Sequence, residues 1–569
     1  MLQLAHNLKF SDLYQREGLL KVDAHFVDFL GAAAPAVKER LIAARAAEAP
    51  LPQKEESTLL LDIAPHLERF ISQLFGIADE VLGLTAKHDE LSPLYTVKRQ
   101  FVQRRAATKI KAPEAAAFDG DALEAQLCEF LGGSFDELHF ATKVEAWLQD
   151  EAANAAALDI AVRYAAWAVH SEAGRHRHHA GVLFKQPAKT DPLHLVNHMV
   201  REVDAEGVAR FRIEHDHIRR REGFALTDQG TDLKGALDQT NYCIWCHNQG
   251  KDSCSKGLKE KTDPAAPQKI TFKKSVFGVT LAGCPLEEKI SEFHTAKTQG
   301  LPLAALAIIT IDNPMVAATG HRICNDCMKA CIYQKQDPVN IPQAETRTLK
   351  DVLTLPWGFE IYSLLTRWNP LNIRRPYPAA ATGYKVLVAG MGPAGYGLAH
   401  NLLNDGHTVV GIDGLKIEPL DSALSGVALD GSRTPFEPIH DVNSLYEPLD
   451  QRVSAGFGGV AEYGITVRWD KNFLKVIRLI IERREQFAMF GGVRFGGTLT
   501  LDDAYAMGFD HVALAMGAGK PTTLDIPNGL ARGVRTASDF LMALQLTGAA
   551  KHDSIANMQL RLPVVVIGA

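Results

Sequence analysis

Residues 384–414 read YKVLVAGMGPAGYGLAHNLLNDGHTVVGIDG, and this stretch decides the fold. Residues 385–389, KVLVA, form a short apolar run of β-forming residues that leads into Gly390-x-Gly392-x-x-Gly395 and then a helix-forming segment. A second apolar strand, HTVVGID, ends on Asp413. Each glycine has a physical task in a strand–turn–helix unit of this kind. Gly390 permits the tight turn, Gly392 lets backbone approach a pyrophosphate, and Gly395 lets helix and strand pack closely. The pyrophosphate would sit at the helix N-terminus beside Pro393 and Ala394, where free N–H groups and the helix dipole favour negative charge. Asp413 is placed to accept hydrogen bonds from a ribose. Glycine spacing alone is weak, but the strand before it, the helix after it and the acidic strand end agree, and the unit reads as dinucleotide-binding.

Working outward, GFDHVALAMGAGKP at 508–521 reads as another buried strand, and the closing RLPVVVIGA as a third strand opening into a glycine turn. The closing run repeats the start of the 385–395 unit without a helix or second strand after it. The expectation is a second nucleotide domain cut short, with residues 563–569 its first strand. On the other side, NIRRPYPAAATG at 372–383 reads as a stiff linker, because proline and the residue before it resist helix.

A chain of 569 residues is too long for one core and implies roughly three or four domains. With 46% hydrophobic and 22% charged residues it has the composition of a globular protein. Net charge is −6, and the basic residues are scattered, so no nucleic-acid footprint emerges. The densest basic run, HIRRREGF at 217–224, reads as solvated surface. No segment approaches the ~18–20 apolar residues of a membrane-spanning helix, and LPLAALAIITI at 301–311 reads as a buried helix or strand. The N-terminus carries no secretory signal pattern, which together with the cysteine usage points to the cytoplasm. Residues 1–234 read as helical, from stretches such as APAVKERLIAARAAEAP and DEAANAAALDIAVRYAAWAVHSEAG, with few strand signals. His176, His178 and His179 follow Gly174, taken as a helix stop, and read as a wet loop.

Seven of the eight cysteines fall between 243 and 331: Cys243, Cys246, Cys254, Cys284, Cys324, Cys327 and Cys331. Cys128 stands apart and reads as a core residue. Three chemistries compete. A structural zinc site prefers four ligands in tight pairs, with a ribbon's pairs ~15–20 residues apart, much closer than 243/246 and 324/327. A redox dithiol needs one pair. Iron–sulfur clusters take four ligands each, mostly thiolates, so seven cysteines and one further ligand would serve two 4Fe-4S clusters. The spacing favours the clusters.

The order of these features resembles the glutamate synthase small-subunit family and the N-terminal half of dihydropyrimidine dehydrogenase, over roughly residues 240–569. The resemblance is carried by GCPLEEKISEFHTAKTQG, TGHRICNDCMKAC, VAGMGPAGYGLAHNLLNDGH, GFGGVAEYGITVRWDKNFL, HVALAMGAGKPTTLDIPN and VVVIGA. It implies two 4Fe-4S clusters, one FAD and an NAD(P)H site. By resemblance Cys243, Cys246, Cys254 and Cys331 would hold one cluster. Cys284, Cys324, Cys327 and Glu345 would hold the other, with Gln343 the alternative fourth ligand. FAD would lie on Gly390, Gly392, Pro393, Ala394, Gly395 and Asp413. Gly459 would lie near the flavin, and Gly517, in the turn Met516–Gly519, would touch the cofactor.

The implied fold class is multidomain α plus α/β: a helical region over 1–234, an α-helical cluster domain over 235–371, the linker, and a Rossmann-like FAD domain over 384–562. The implied activity is NAD(P)H-dependent oxidoreduction, electrons passing between NAD(P)H, FAD and the clusters to an acceptor subunit or downstream domain; an oligomer is compatible with this. A pyrimidine-type dehydrogenase input is a variant of the same reading. The rival from another class is a non-enzymatic, zinc-stabilised interaction protein with a vestigial nucleotide fold. Three departures from the family stand out: a longer gap from Cys246 to Cys254, a longer segment between Asp413 and Gly458, expected to cover the flavin or contact a partner, and the helical N-terminal region.

Overall fold

The structure is a computed structural model and describes residues 2–191, 194, 199–215, 218, 228–261, 270–448, 470–518, 523–549 and 551–567. Gly459, almost all of the basic run at 217–224 and the stretch from 449 to 469 lie outside the described residues.

The first helices, Arg16–Ala33, Pro35–Ala46 and Gln53–Phe75, each bury one apolar stripe. Val22, Phe26 and Leu30 recur at helical spacing on the first, and Ile63, Leu67, Phe70 and Leu74 on the third. Both stripes meet Trp368, whose ring lies 5.9 Å from Phe26 and 5.8 Å from Phe70. Polar contacts fix the docking. The Trp368 indole N–H donates to Asp23, and Glu68 accepts from the backbone N–H of Ala304 in the first turn of helix Pro302–Asp312. The stretch 302–310 is buried throughout, as its unbroken apolar composition requires. These N-terminal helices therefore share one core with the layer formed by Ile290–Thr298, Pro302–Asp312, Ile341–Leu353 and Gly358–Leu365.

A second core lies within residues 94–184, among helices Gly120–Leu131, Glu137–Gln149 and Ala155–His170. It is fastened to helix Leu233–Tyr242 by Leu237 and by the Lys98–Asp238 ion pair. Two expectations change here. Gly174 does not stop a helix: it sits inside Glu172–Arg177, its N–H accepted by the capping Ser171 hydroxyl, and a Cβ there would meet the Trp167 carbonyl oxygen at 2.4 Å. His178 is half-buried rather than wet; it bonds the Tyr164 hydroxyl and packs 4.6 Å from Phe184, while His176 and His179 are exposed. Cys128 is half-buried.

The region expected to be helical also contains a hairpin, β1 (Met199–Val203) paired antiparallel with β2 (Ala209–Ile213). Its largely exposed, mixed-charge faces carry none of the apolar alternation that marks a half-buried strand.

After the linker comes a parallel four-stranded sheet in the order β5-β4-β3-β6, with β3 at Lys385–Ala389, β4 at Thr408–Asp413, β5 at Phe487–Gly491 and β6 at His511–Leu514. Helix Pro393–Asn404 crosses from β3 to β4. Alternation places Val386 and Val388 in the large core and Leu387 and Ala389 in a smaller one with Ile412, Leu499 and Ala504. β6 is an edge strand with Leu514 exposed, not a buried one, because its outer side has no neighbour among the described residues. The expected strand at 563–567 does not form: Val565 and Val566 are exposed, with no strand partner among the described residues. The segment after Asp413 is folded onto helix Phe473–Glu482 and its exit. Arg433 donates to the Glu482 and Arg484 carbonyls, and Arg483 to the Leu424 carbonyl.

Candidate functional site

The first cysteine group is assembled from both ends of the cysteine segment. Cys243 closes helix Leu233–Tyr242, and Cys246 opens a short turn. Between them Trp245 adopts φ 50°, uncommon for a residue with a side chain, and its N–H donates to Cys243 Sγ at 3.4 Å. The longer gap to Cys254 is taken up by a left-handed Gly250 and by Asp252, which caps the four-residue turn of helix bearing Cys254. Cys331 follows the helical turn Asp326–Lys329. All four cysteines line one small pocket, together with Asp252, Ile290, His294 and Tyr333.

The electrostatics of this pocket disfavour free thiolates at Cys243, Cys246 and Cys254 and favour one at Cys331. Burial pushes the Cys243 thiol up to about 12 and the Cys246 thiol up to about 11. Cys254 and Cys331 share a hydrogen bond that raises the Cys254 thiol, the donor, and lowers Cys331 to about 6. Burial and the nearby Glu292 lift Asp252 to about 7. Such a set takes the thiolate form when a positive centre arrives to hold it.

The second group lies alongside. Leu258 N–H donates to the Leu281 carbonyl and Leu281 N–H to the Lys273 carbonyl, which brings the segment carrying Cys284 against the one carrying Cys254. Cys284 and Cys327 are half-buried and Cys324 is exposed. Burial raises the Cys284 thiol, with Glu345 and Cys324 adding to it, and the same neighbours act on Cys327. Glu345 is buried, accepts from Asn313 at 3.1 Å and bonds Glu288, and burial raises both carboxyls. Gln343 points elsewhere, accepting from the backbone N–H of Thr231. Of the two candidate fourth ligands, only Glu345 stands among these cysteines. Among the described residues, no three His, Cys, Asp or Glu side chains close on a single-ion site.

At the glycine loop, Gly390 has φ 98°, and a Cβ there would lie 2.4 Å from the Ala515 carbonyl oxygen. The same contact brings the turn carrying Gly517, itself at φ 70°, against the loop. Gly392 is the N-cap of helix Pro393–Asn404, with Pro393 and Ala394 exposed in its first turn. A Cβ at Gly395 would sit 1.8 Å from the Gly390 carbonyl oxygen. The buried Asp413 clasps the loop, one carboxylate oxygen accepting from Met391 N–H and the other from Leu415 N–H, each at 2.8 Å. Sequence reasoning missed that clasp, and it missed Glu288, Asp252, His294 and Tyr333. For His294 a signal exists: Ile290 and His294 are four apart in ISEFHTAK and share a helix face.

The family model described as RP005 N-terminal alpha-helical domain matches residues 4–76. The chain is 55% identical over 254 residues to the uncharacterized protein RP006 of Rickettsia prowazekii, covering 45% of this chain and 34% of that protein. It is 27% identical over 261 residues to the NADPH glutamate synthase small chain of Mycobacterium tuberculosis, covering 46% of this chain and 42% of that one, a distant homology. The chain thus spans about a third of RP006 and under half of that small chain. A further relative, the uncharacterized protein RP005 of Rickettsia prowazekii, is 32% identical over 310 residues, which is 53% of this chain and 100% of RP005. Matched over the whole of that relative, this chain belongs to the RP005 family.

Proposed function

We propose that this chain is the flavin- and cluster-bearing part of an NAD(P)H-dependent oxidoreductase, with FAD and two 4Fe-4S clusters serving an acceptor domain or subunit. The observation that carries the reading is the convergence of Cys243, Cys246, Cys254 and Cys331 on one pocket from distant points in the sequence. The distant homology to glutamate synthase small chains supports it at family level.

Four thiols on one pocket are a donor set that suits a 4Fe-4S core, in which each thiolate takes its own iron. Cys284, Cys324, Cys327 and Glu345 would hold the second cluster. Gly390, Gly392, Pro393, Ala394 and Gly395 would take the FAD pyrophosphate, with Asp413 holding the loop in register beside the ribose. The flavin supplies conversion between two-electron and one-electron chemistry, and the clusters carry single electrons. The chain's own work is to bind, bury and orient these groups.

The test is the anaerobic visible spectrum before and after dithionite, with iron, sulfide, zinc and flavin measured on the same sample. The expected result is a flavin band near ~450 nm over a brown shoulder near ~400 nm, both bleaching, with about eight irons per chain. Colourless protein carrying zinc would overturn the reading and leave the cysteines structural.

A further inference from the structure

His294 lies on helix Ile290–Thr298 with its side chain fully buried, and it lines the pocket of Cys243, Cys246, Cys254 and Cys331. Neither ring nitrogen has a hydrogen-bond partner. A buried N–H left unpaired is costly, so native structures rarely keep one without a reason. The surroundings do not supply a partner elsewhere. Phe293 presents its ring edge-on 4.4 Å away, and Lys297, one turn on, is committed to Asp351 at 2.7 Å. Ser291, the other polar side chain of this helix facing the pocket, is taken by His247.

The same pocket is lined by Cys243, Cys246, Cys254 and Cys331, whose sulfurs can accept, and by Asp252. Burial and the Lys297 charge hold His294 well below its ordinary range, at about 3, so the imidazole is neutral and carries a single N–H. Resting on the cluster reading above, we infer that His294 donates that N–H to the sulfur of a 4Fe-4S cluster held by the four cysteines, and thereby sets its reduction potential. A donor to sulfur stabilises the reduced cluster, which carries the extra negative charge, more than the oxidised one. His294 is thus a tuning residue that touches the cofactor rather than a ligand to it.

Two measurements on the full chain reconstituted with iron and sulfide decide this. In the first, protein labelled with 15N-histidine is reduced and examined by pulsed EPR, wild type against His294→Gln. A 15N coupling in the wild type that disappears in His294→Gln is expected; a bound cluster without it, or with one that persists in the variant, overturns the inference. In the second, EPR-monitored redox titration compares wild type, His294→Leu and His294→Gln. At the wild-type midpoint the reduced-to-oxidised ratio should fall about tenfold in His294→Leu, the expected weight of one hydrogen bond to a charged group. It should recover substantially in His294→Gln, whose amide N–H can replace the donor. Unchanged midpoints in both variants, with four irons still at this site, overturn the inference while leaving the cluster reading intact. Failure of the wild type to take up iron overturns both. Should His294→Leu not fold, the 15N comparison with the size-matched His294→Gln decides alone.

Discussion

The backbone N–H of Cys284 donates to the carbonyl of Cys254 at 2.8 Å, so the two cysteine groups meet across one peptide hydrogen bond. Cys254 belongs to the pocket with Cys243, Cys246 and Cys331, and Cys284 to the neighbouring group with Cys327 and Glu345. A Cβ at Gly283 would collide with the Gly257 nitrogen at 2.5 Å and the Ser255 carbonyl oxygen at 2.7 Å, so the two segments are laid as close as backbone allows.

The two groups should nevertheless load separately. Cys331→Ala removes one thiol from the first group, and Cys324→Ala, at an exposed position, one from the second. Each single variant is expected to retain about four of about eight irons, and the double variant almost none. Iron and sulfide per chain, with EPR of the reduced protein, check this. Full loss of iron in Cys324→Ala would mean that the groups are not independent.

The glycine loop offers a sharp contrast within one helix. At Gly395 an added methyl would lie 1.8 Å from the Gly390 carbonyl oxygen and 2.8 Å from its carbon, backbone atoms with little room to yield. At Gly397, two residues on, nothing lies within 4 Å. Gly395→Ala should cost about 2–4 kcal/mol and release the proposed flavin. Gly397→Ala should gain about 0.5–1 kcal/mol from helix propensity. Urea melts of both variants, with flavin content, measure the contrast.

What was legible in the sequence was local. The loop from Lys385 to Asp413 announces itself because strand, turn and helix follow one another without a break, and the CxxC pair at 243/246 because its ligands are neighbours. What stayed hidden depends on long-range packing. Glu345 differs from Gln343 only in which way each faces once Ile341–Leu353 is docked. Glu288 shows no motif, yet it bonds Glu345, a residue far along the chain. The closing VVVIGA has the composition of a strand, but a strand also needs a partner edge, which composition cannot supply. The hairpin at 199–213 fails the opposite way: it has its partner and lacks the apolar alternation.

Glu68 makes stability depend on pH. It is buried, and burial raises its carboxyl to about 8 from an ordinary 4.5, although the Ala304 N–H it accepts opposes the rise. Between those two values the native chain keeps a proton that the unfolded chain has lost. The contribution of Glu68 is therefore fully present below about pH 4.5 and falls away as pH rises towards 8. Glu68→Gln keeps an acceptor for Ala304 and removes the linkage. It should lie close to the wild type near pH 4.5 and exceed it by roughly 4 kcal/mol at pH 8, as read by urea unfolding at the two pH values. Equal stabilities at pH 8 would mean that Glu68 is ionised in the native protein.

The ion pair between Glu360 and Arg483 holds the sheet region to the helical layer. Both side chains are fully buried, 2.9 Å apart, and both bond the Tyr14 hydroxyl. Arg483 also donates to the Leu424 and Glu437 carbonyls, and Glu360 accepts from Ile439 N–H, so four chain segments meet at one pair of charges. Two more cations, Arg367 and Arg484, are buried close by, and burial together with Arg367 pulls Arg484 down to about 9. Removing the carboxylate would leave Arg483 buried without its counter-ion in an already cationic neighbourhood. Glu360→Gln, which keeps the shape but removes the charge and one of the two accepting oxygens, should cost about 3–5 kcal/mol, whereas Tyr14→Phe, which removes one hydroxyl, should cost about 1 kcal/mol. Denaturant unfolding of the two variants separates charge from hydrogen bonding. If Glu360→Gln costs no more than Tyr14→Phe, the pair is held by its hydrogen bonds and the charge adds nothing.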